Sequence, residues 1–227
     1  MASYIGTYGE KTLHRELKWH LEPTGAFHEA PVGKYIADIK TESGVIEIQT
    51  QSFGKLRPKL IALLQEHTVT LVYPVTREKQ LIWIDKENGE VLRTRRSPKR
   101  GSFYDAFREL YYIKTLLTNA NLILRLVLMD VTERRTEAVK WRGRRGYHKI
   151  DTAIRSICDE LTIADSEDYL NLVPRTLDEP FTSRDYAACA GLNMRNAGIA
   201  LNILFYVGAV KRVGKSGNSY LYERRGD

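Results

Sequence analysis

The segment spanning residues 33–53, GKYIADIKTESGVIEIQTQSF, limits the possible folds more than any other. Two β-rich runs, 34–39 (KYIADI) and 45–50 (VIEIQT), bracket Ser43-Gly44, a tight turn, so the spacing predicts an antiparallel hairpin. Helical stripes flank it. Glu10, Leu13, His14 and Leu17 recur on one face of 9–21, and Phe53, Leu56, Leu60, Leu63 and Leu64 on one face of 52–67, with Pro58 expected in the first turn. Strands are then expected at 69–75 (VTLVYPV), 80–86 (QLIWIDK) and, after an Asn88-Gly89 turn, in EVLRTR. A second amphipathic helix is expected over 102–118 and a buried strand over 121–131. This order implies an α/β domain over 1–132, a mixed sheet flanked by helices. Residues 133–178 read as a connector, basic and then acidic, with one helix at IDTAIRSICDEL. Residues 179–227 form a separate unit.

With 43% hydrophobic residues the chain can bury a core, and no run approaches the roughly 18 apolar residues of a membrane helix. The first residues lack the pattern of a secretory leader. Cys158 and Cys189 stand in no ligand spacing, which points to a reducing compartment without disulfides or structural zinc. The expectation is a soluble cytoplasmic protein. The net charge of +7 is unevenly distributed. Residues 93–155 hold 16 basic against 6 acidic side chains, and 181–227 hold 7 against 3, while 1–92 hold 11 against 12 and 156–180 hold 1 against 7. Clustered Lys and Arg suit a polyanion partner, because they release counterions from a phosphate backbone; a solvated surface is the bland alternative.

In the C-terminal unit Thr182–Asp185 has the form of a capping box opening a short helix, and Asn193 can cap a second. Ala197, Ala200, Leu201, Leu204 and Phe205 would face inward, and Arg195, Ile199, Asn202 and Tyr206 outward. VKRV, GKSGN and YLYER then read as a hairpin with a basic, glycine-rich tip. Helix, turn, helix and hairpin resemble a winged helix-turn-helix. The resemblance implies DNA contact by Arg195, Asn196 and Asn202 on the helix and by Lys211, Arg212 and Lys215 on the wing. Such modules also mediate protein contacts, and Ile199 on the outer face hints at that.

Asp38 closes one strand of the first hairpin, and Glu47 and Gln49 lie two apart on the next, a spacing that puts both on one face. Two carboxylates and an amide at one sheet edge are an oxygen-only donor set suited to magnesium or manganese. The same residues could equally be exposed strand positions on a solvent face. The arrangement resembles the PD-(D/E)xK phosphodiesterase superfamily, which includes restriction endonucleases and junction resolvases. It is also similar to a prokaryotic branch that joins such a domain to a winged helix. The resemblance implies a restriction-endonuclease-like fold with Glu10 as the helical acid and Asp38 and Glu47 as ligands of Mg²⁺ or Mn²⁺. Gln49 falls where the family has its catalytic lysine, and would orient water. Lys55 or Lys59, on the following helix, could supply the missing ammonium. His14 shares the face of Glu10 and reads as a structural histidine.

Arg93, Arg95, Arg96, Lys99 and Arg100 precede the second expected helix and suit phosphate contact. Arg142, Arg144, Arg145 and Lys149 interleave with Trp141, Tyr147 and His148, as in a strand-gripping patch or a charged linker. The resulting expectation is a metal-dependent endonuclease acting on double-stranded or branched DNA, nucleoid-associated, with a homodimer possible. The alternatives are a non-catalytic DNA-binding regulator that keeps a nuclease-like fold, and an RNA-cleaving enzyme.

Overall fold

The computed structural model describes residues 9–141 and 144–226, with the side chains of 9–11 and 138–145 left outside that description. Helix α1 (Gly9–Leu21) leads into a meander of β1 (His28–Val32), β2 (Tyr35–Thr41) and β3 (Gly44–Ile48). Helix α2 (Phe53–Leu63) crosses over to β4 (Val69–Ile84), parallel to β3, and β5 (Val91–Arg96) folds back on β4. Short helical turns follow over 103–116, with α3 (Phe107–Leu110) at their centre. Strand β6 (Leu122–Trp141) then runs parallel to β4, and β7 (Arg144–Ile163) returns antiparallel along it. The mixed sheet runs β1-β2-β3-β4-β6-β7, with β5 on the β3 edge of β4.

The expected hairpin is present, with register pairs Ile39–Ile46, Lys40–Val45 and Thr41–Gly44. Gly44 is required there. Its φ is +145°, and a β-carbon would lie 2.3 Å from the Thr68 carbonyl, to which Val45 donates at 2.9 Å. The helices cover opposite faces. Phe53, Leu56 and Leu60 of α2 pack with Val45 and Leu71, whereas Leu13 and Leu17 of α1 pack with Ile48, Val72 and Val127. Pro58 lies in the second turn of α2, not the first. It removes the donor to Gly54, but both residues are exposed, so water can satisfy that carbonyl.

Three expectations give way to the fold. Residues 69–75 and 80–84 belong to one strand, because Arg77, Glu78 and Lys79, in the interval between the two expected strands, pair their charges within the sheet; Asp85 and Lys86 lie past its end. The expected boundary near 132 falls inside β6, and 133–163 is strand throughout its described part. IDTAIRSICDEL carries isoleucines at helical spacing for a specific reason. Val131 pairs with Ile154, Asp130 with Ser156 and Met129 with Ile157, leaving Arg155 unpaired. That bulge shifts the alternation by one, so Ile154 and Ile157, three apart, both pack against the α1 face. Third, the expected helix over 102–118 is broken, with a non-helical Ile113 at φ −115°.

The C-terminal unit holds α4 (Ser183–Ala190), α5 (Met194–Tyr206) and the hairpin β8 (Val210–Ser216)/β9 (Ser219–Arg224). The capping box forms as read: Asp185 Oδ2 accepts from the Thr182 N–H at 2.8 Å, and Thr182 Oγ1 from the Asp185 N–H at 3.4 Å. Asn193 caps α5 through the Asn196 N–H at 2.9 Å. Ala197, Ala200, Leu201 and Leu204 are buried as expected, but Phe205 is 41% exposed. This unit shares its core with the sheet: Tyr186, Leu201 and Leu204 belong to the same buried cluster as Phe107, Leu110 and Phe53.

Candidate functional site: two carboxylates where β2 and β3 part

The β2–β3 ladder ends at Ile39–Ile46, and the side chain of Asp38 takes over the next donor. Its Oδ2 accepts the Ile48 N–H at 2.8 Å and lies 3.1 Å from His14 Nε2 on α1. Burial opposes ionisation of Asp38. The bond and charge of His14, the Ile48 N–H and the Lys18 charge outweigh it, so its carboxyl is held below the ordinary range. His14 is thus a hydrogen-bond partner of Asp38.

Glu47 turns to the other helix. Its side chain is 4% exposed, and Oε2 accepts from Lys59 Nζ of α2 at 2.6 Å. Lys59 also donates to the Ile36 carbonyl at 2.7 Å. The other oxygen, Oε1, is buried without a hydrogen-bond partner. Burial pushes the Glu47 carboxyl up to about 7. The Lys59 bond and charge resist the rise, the Asp38 charge adds to it, and the Asp38 backbone N–H opposes it. Asp38 and Glu47 thus act on each other across the strand gap, although each is anchored from a different face of the sheet.

Gln49 continues the ladder, donating its backbone N–H to the Val72 carbonyl at 2.9 Å. Its side-chain amide bonds the Gln51 carbonyl rather than turning towards Glu47. The helical acid, Glu10, lies in the first turn of α1, with its side chain outside the described residues. Among the described residues no group of three or more His, Cys, Asp or Glu side chains is arranged around a metal position. The donor chemistry still suits a hard cation: two neighbouring carboxylates, one with a buried oxygen that lacks a partner.

Two clefts open where the β3 edge of β4 is bare. β3 pairs with 69–72 and β5 with 80–84, leaving 73–79 without a strand on that side. One cleft, of about 470 Å³, is lined by Leu13, Thr50, Thr76, Lys79 and Lys149; the other, of about 280 Å³, by Thr50, Tyr73, Thr76, Lys99 and Arg108.

The basic residues separate by context. Lys55 and Arg95 are exposed. Arg96 reaches Glu78 at 3.5 Å, Arg100 bonds Glu78, and Lys99 lies 3.8 Å from Asp105. Arg142 lies outside the described residues, as do the side chains of Arg144 and Arg145. On the C-terminal hairpin Lys211 pairs with Glu223 at 3.2 Å. Arg212 stacks on Tyr220 and Phe205, at 4.0 and 4.4 Å from the ring centres, and Lys215 lies 5.0 Å from Tyr220. The outer face of α5 is not free. Asn202 accepts from Lys114 Nζ at 3.0 Å, and Ile199 packs on the shared core. The face expected to read DNA is therefore partly closed by the 103–116 segment, because its isoleucine is more stable buried than in water.

The sequence reading missed a set of buried acids. Asp130 accepts from Arg77 Nε at 2.9 Å and from Nη2 at 2.7 Å, and Glu133 pairs with Lys79 at 2.6 Å and with Arg135. Glu78, also buried, takes Arg96 and Arg100. The hydrogen bonds from Arg77 hold the Asp130 carboxyl low against desolvation. Acids inside the otherwise apolar run from Leu122 were the available signal. No described helix is long and apolar enough to cross a membrane.

A family model described as "Domain of unknown function (DUF8091)" matches residues 11–164, from α1 to the end of β7, and leaves the helix–helix–hairpin unit outside the match. A protein of Treponema pallidum (strain Nichols), described as an uncharacterized protein, is 31% identical over 230 residues, covering 97% of this chain and 87% of its own. No solved structure matches. With more than half of its length matched by that model, the chain belongs to the DUF8091 family.

Proposed function

We propose that this protein is a magnesium- or manganese-dependent endonuclease of the PD-(D/E)xK type, with a winged-helix unit fixed to its core. The observation that carries the reading is the ammonium of Lys59, 2.6 Å from Glu47 beside Asp38. It stands where the loss of lysine at position 49 would otherwise leave the site without a cation. The order α1-β1-β2-β3-α2-β4 sets Asp38 and Glu47 on adjacent strands between two helices, which supports the reading further.

Asp38 and Glu47 would hold the ion, with Glu10 as a third donor. When bound, it would polarise a phosphodiester and acidify a water. The protein's own part follows from the contacts. His14 and the Ile48 N–H fix Asp38 as an anion, and α2 carries Lys59 to the site on a packed helix. An ammonium held there can offset charge developing on the phosphate oxygens. Lys99 and Arg108, which line one cleft, would position the backbone, with Arg100 next in the chain.

Purified protein is expected to nick plasmid DNA with Mg²⁺ or Mn²⁺ and not with EDTA. Asp38→Ala should abolish nicking, and Lys59→Met should lower it at least a hundredfold while leaving the fold intact by circular dichroism. Undiminished cleavage by Asp38→Ala would refute the reading. Tight DNA binding without cleavage under either ion would favour a non-catalytic regulator, a reading to which the in-chain partners of both carboxylates, His14 and Lys59, also lend support.

A further inference from the structure

The groove between the 103–116 segment and α5 has a make-up of its own. It is a cleft of about 450 Å³, lined by Arg108, Tyr111, Tyr112, Asn193, Arg195 and Asn196. Tyr111 and Tyr112 are 48% and 60% exposed beside two arginines, and Lys114 Nζ lies 5.9 Å from the Tyr111 ring centre. Neither Arg108 nor Arg195 makes an ion pair or hydrogen bond among the described residues, whereas Arg77, Arg100, Arg125 and Arg224 are all paired. Asn193 spends its carbonyl oxygen on the α5 cap, which leaves its amide hydrogens for a ligand. Arg108 also lines the cleft that contains Thr50, one residue past Gln49, so a basic track leads from the end of β3 to α5.

We propose that this track binds a single-stranded nucleic-acid segment, with bases stacked on Tyr111 and Tyr112 and phosphates held by Arg108 and Arg195. The inference rests on the reading of the substrate as nucleic acid. It changes the role of α5. A helix whose outer face holds Lys114 through Asn202 and packs a half-buried Ile199 on the core cannot lie freely in a duplex major groove, but its N-terminal end can flank a strand. Unpaired arginines beside exposed rings are the composition of a strand-binding surface, since every base has a face to stack and every nucleotide a phosphate.

The test uses the full chain in EDTA, so that binding is read without cleavage. Fluorescence anisotropy compares a labelled 15-nucleotide DNA strand, the same strand in a blunt duplex, and a duplex carrying a single-stranded overhang. The strand and the overhang substrate should bind at least tenfold more tightly than the blunt duplex. Tyr111→Ala with Tyr112→Ala, or Arg108→Ala with Arg195→Ala, should weaken strand binding about tenfold or more, while the Phe pair at 111 and 112 retains it. Equal affinity for the blunt duplex, indifference to both pairs of alanine substitutions, or absence of nucleic-acid binding would each overturn the proposal. Because Asp38 and Lys59 are untouched, strand-selective binding by a protein that never cleaves would remove the nuclease reading alone. Cleavage without strand preference would remove this one alone.

Discussion

Glu47 should make the protein less stable as the pH rises. Its side chain is 4% exposed, one oxygen lacks any partner, and burial lifts its carboxyl to about 7 against an ordinary value of 4.5. Between those values the folded state retains a proton that the unfolded chain has released, so the native state is favoured at low pH and loses that advantage as pH climbs through about 7. That displacement corresponds to roughly 3 kcal/mol in full, most of it lost between pH 5 and pH 8. Glu47→Gln is isosteric and does not titrate. Urea denaturation of both proteins at pH 5, 6, 7 and 8 gives the two stability curves, and their difference isolates Glu47 from the carboxylates of opposite sign, Asp38, Asp130 and Glu133, that both share. Wild type should fall relative to the variant by about 2–3 kcal/mol across that range. Curves that stay parallel within about 0.5 kcal/mol would show that Lys59 fully compensates the buried charge, contrary to this reasoning.

Arg77→Ala leaves the Asp130 carboxylate, 4% exposed, with the Glu78 N–H at 3.2 Å as its remaining backbone donor, and should lower the midpoint of chemical denaturation. Gly44→Ala places a methyl 2.3 Å from the Thr68 carbonyl at a φ of +145°, so the hairpin must shift. A loss of about 2 kcal/mol or more in thermal unfolding is expected. Asp185→Ala removes half of the α4 capping box and should cost about 1 kcal/mol, read from the urea midpoint.

Local chemistry made much of the architecture legible. The β2–β3 hairpin, α1 and α2, the capping box at Thr182 and the helix–helix–hairpin order of the last fifty residues depend on turn residues, period and caps within a few positions of one another. The nearness of Asp38 and Glu47 was legible too, because a tight hairpin joins their strands, and the Asp38 charge acts on the Glu47 carboxyl. What could not be read was set by distant partners. Arg77, Glu78 and Lys79 fell in the interval between two expected strands until Asp130, Arg100 and Glu133 were placed beside them. Ile154 and Ile157 looked helical until one unpaired residue, Arg155, shifted the phase of β7.

Position 49 and helix α5 show where the division falls. The sequence puts a glutamine at 49, where the resemblance to PD-(D/E)xK enzymes would place a lysine, and offers Lys55 and Lys59 after it. Only the crossover of α2 over the sheet brought Lys59, and not Lys55, against the buried Glu47. Sequence alone also marked the outer face of α5 as polar enough to touch a ligand. The packing of Ile199 and Asn202 partly closed that face and left Arg195 open beside two tyrosines. In each case the amino acid determines what a side chain can bind. Burial and the nearness of residues far apart in the chain decide what it does bind, because desolvation and charge pairing depend on neighbours that no short window contains.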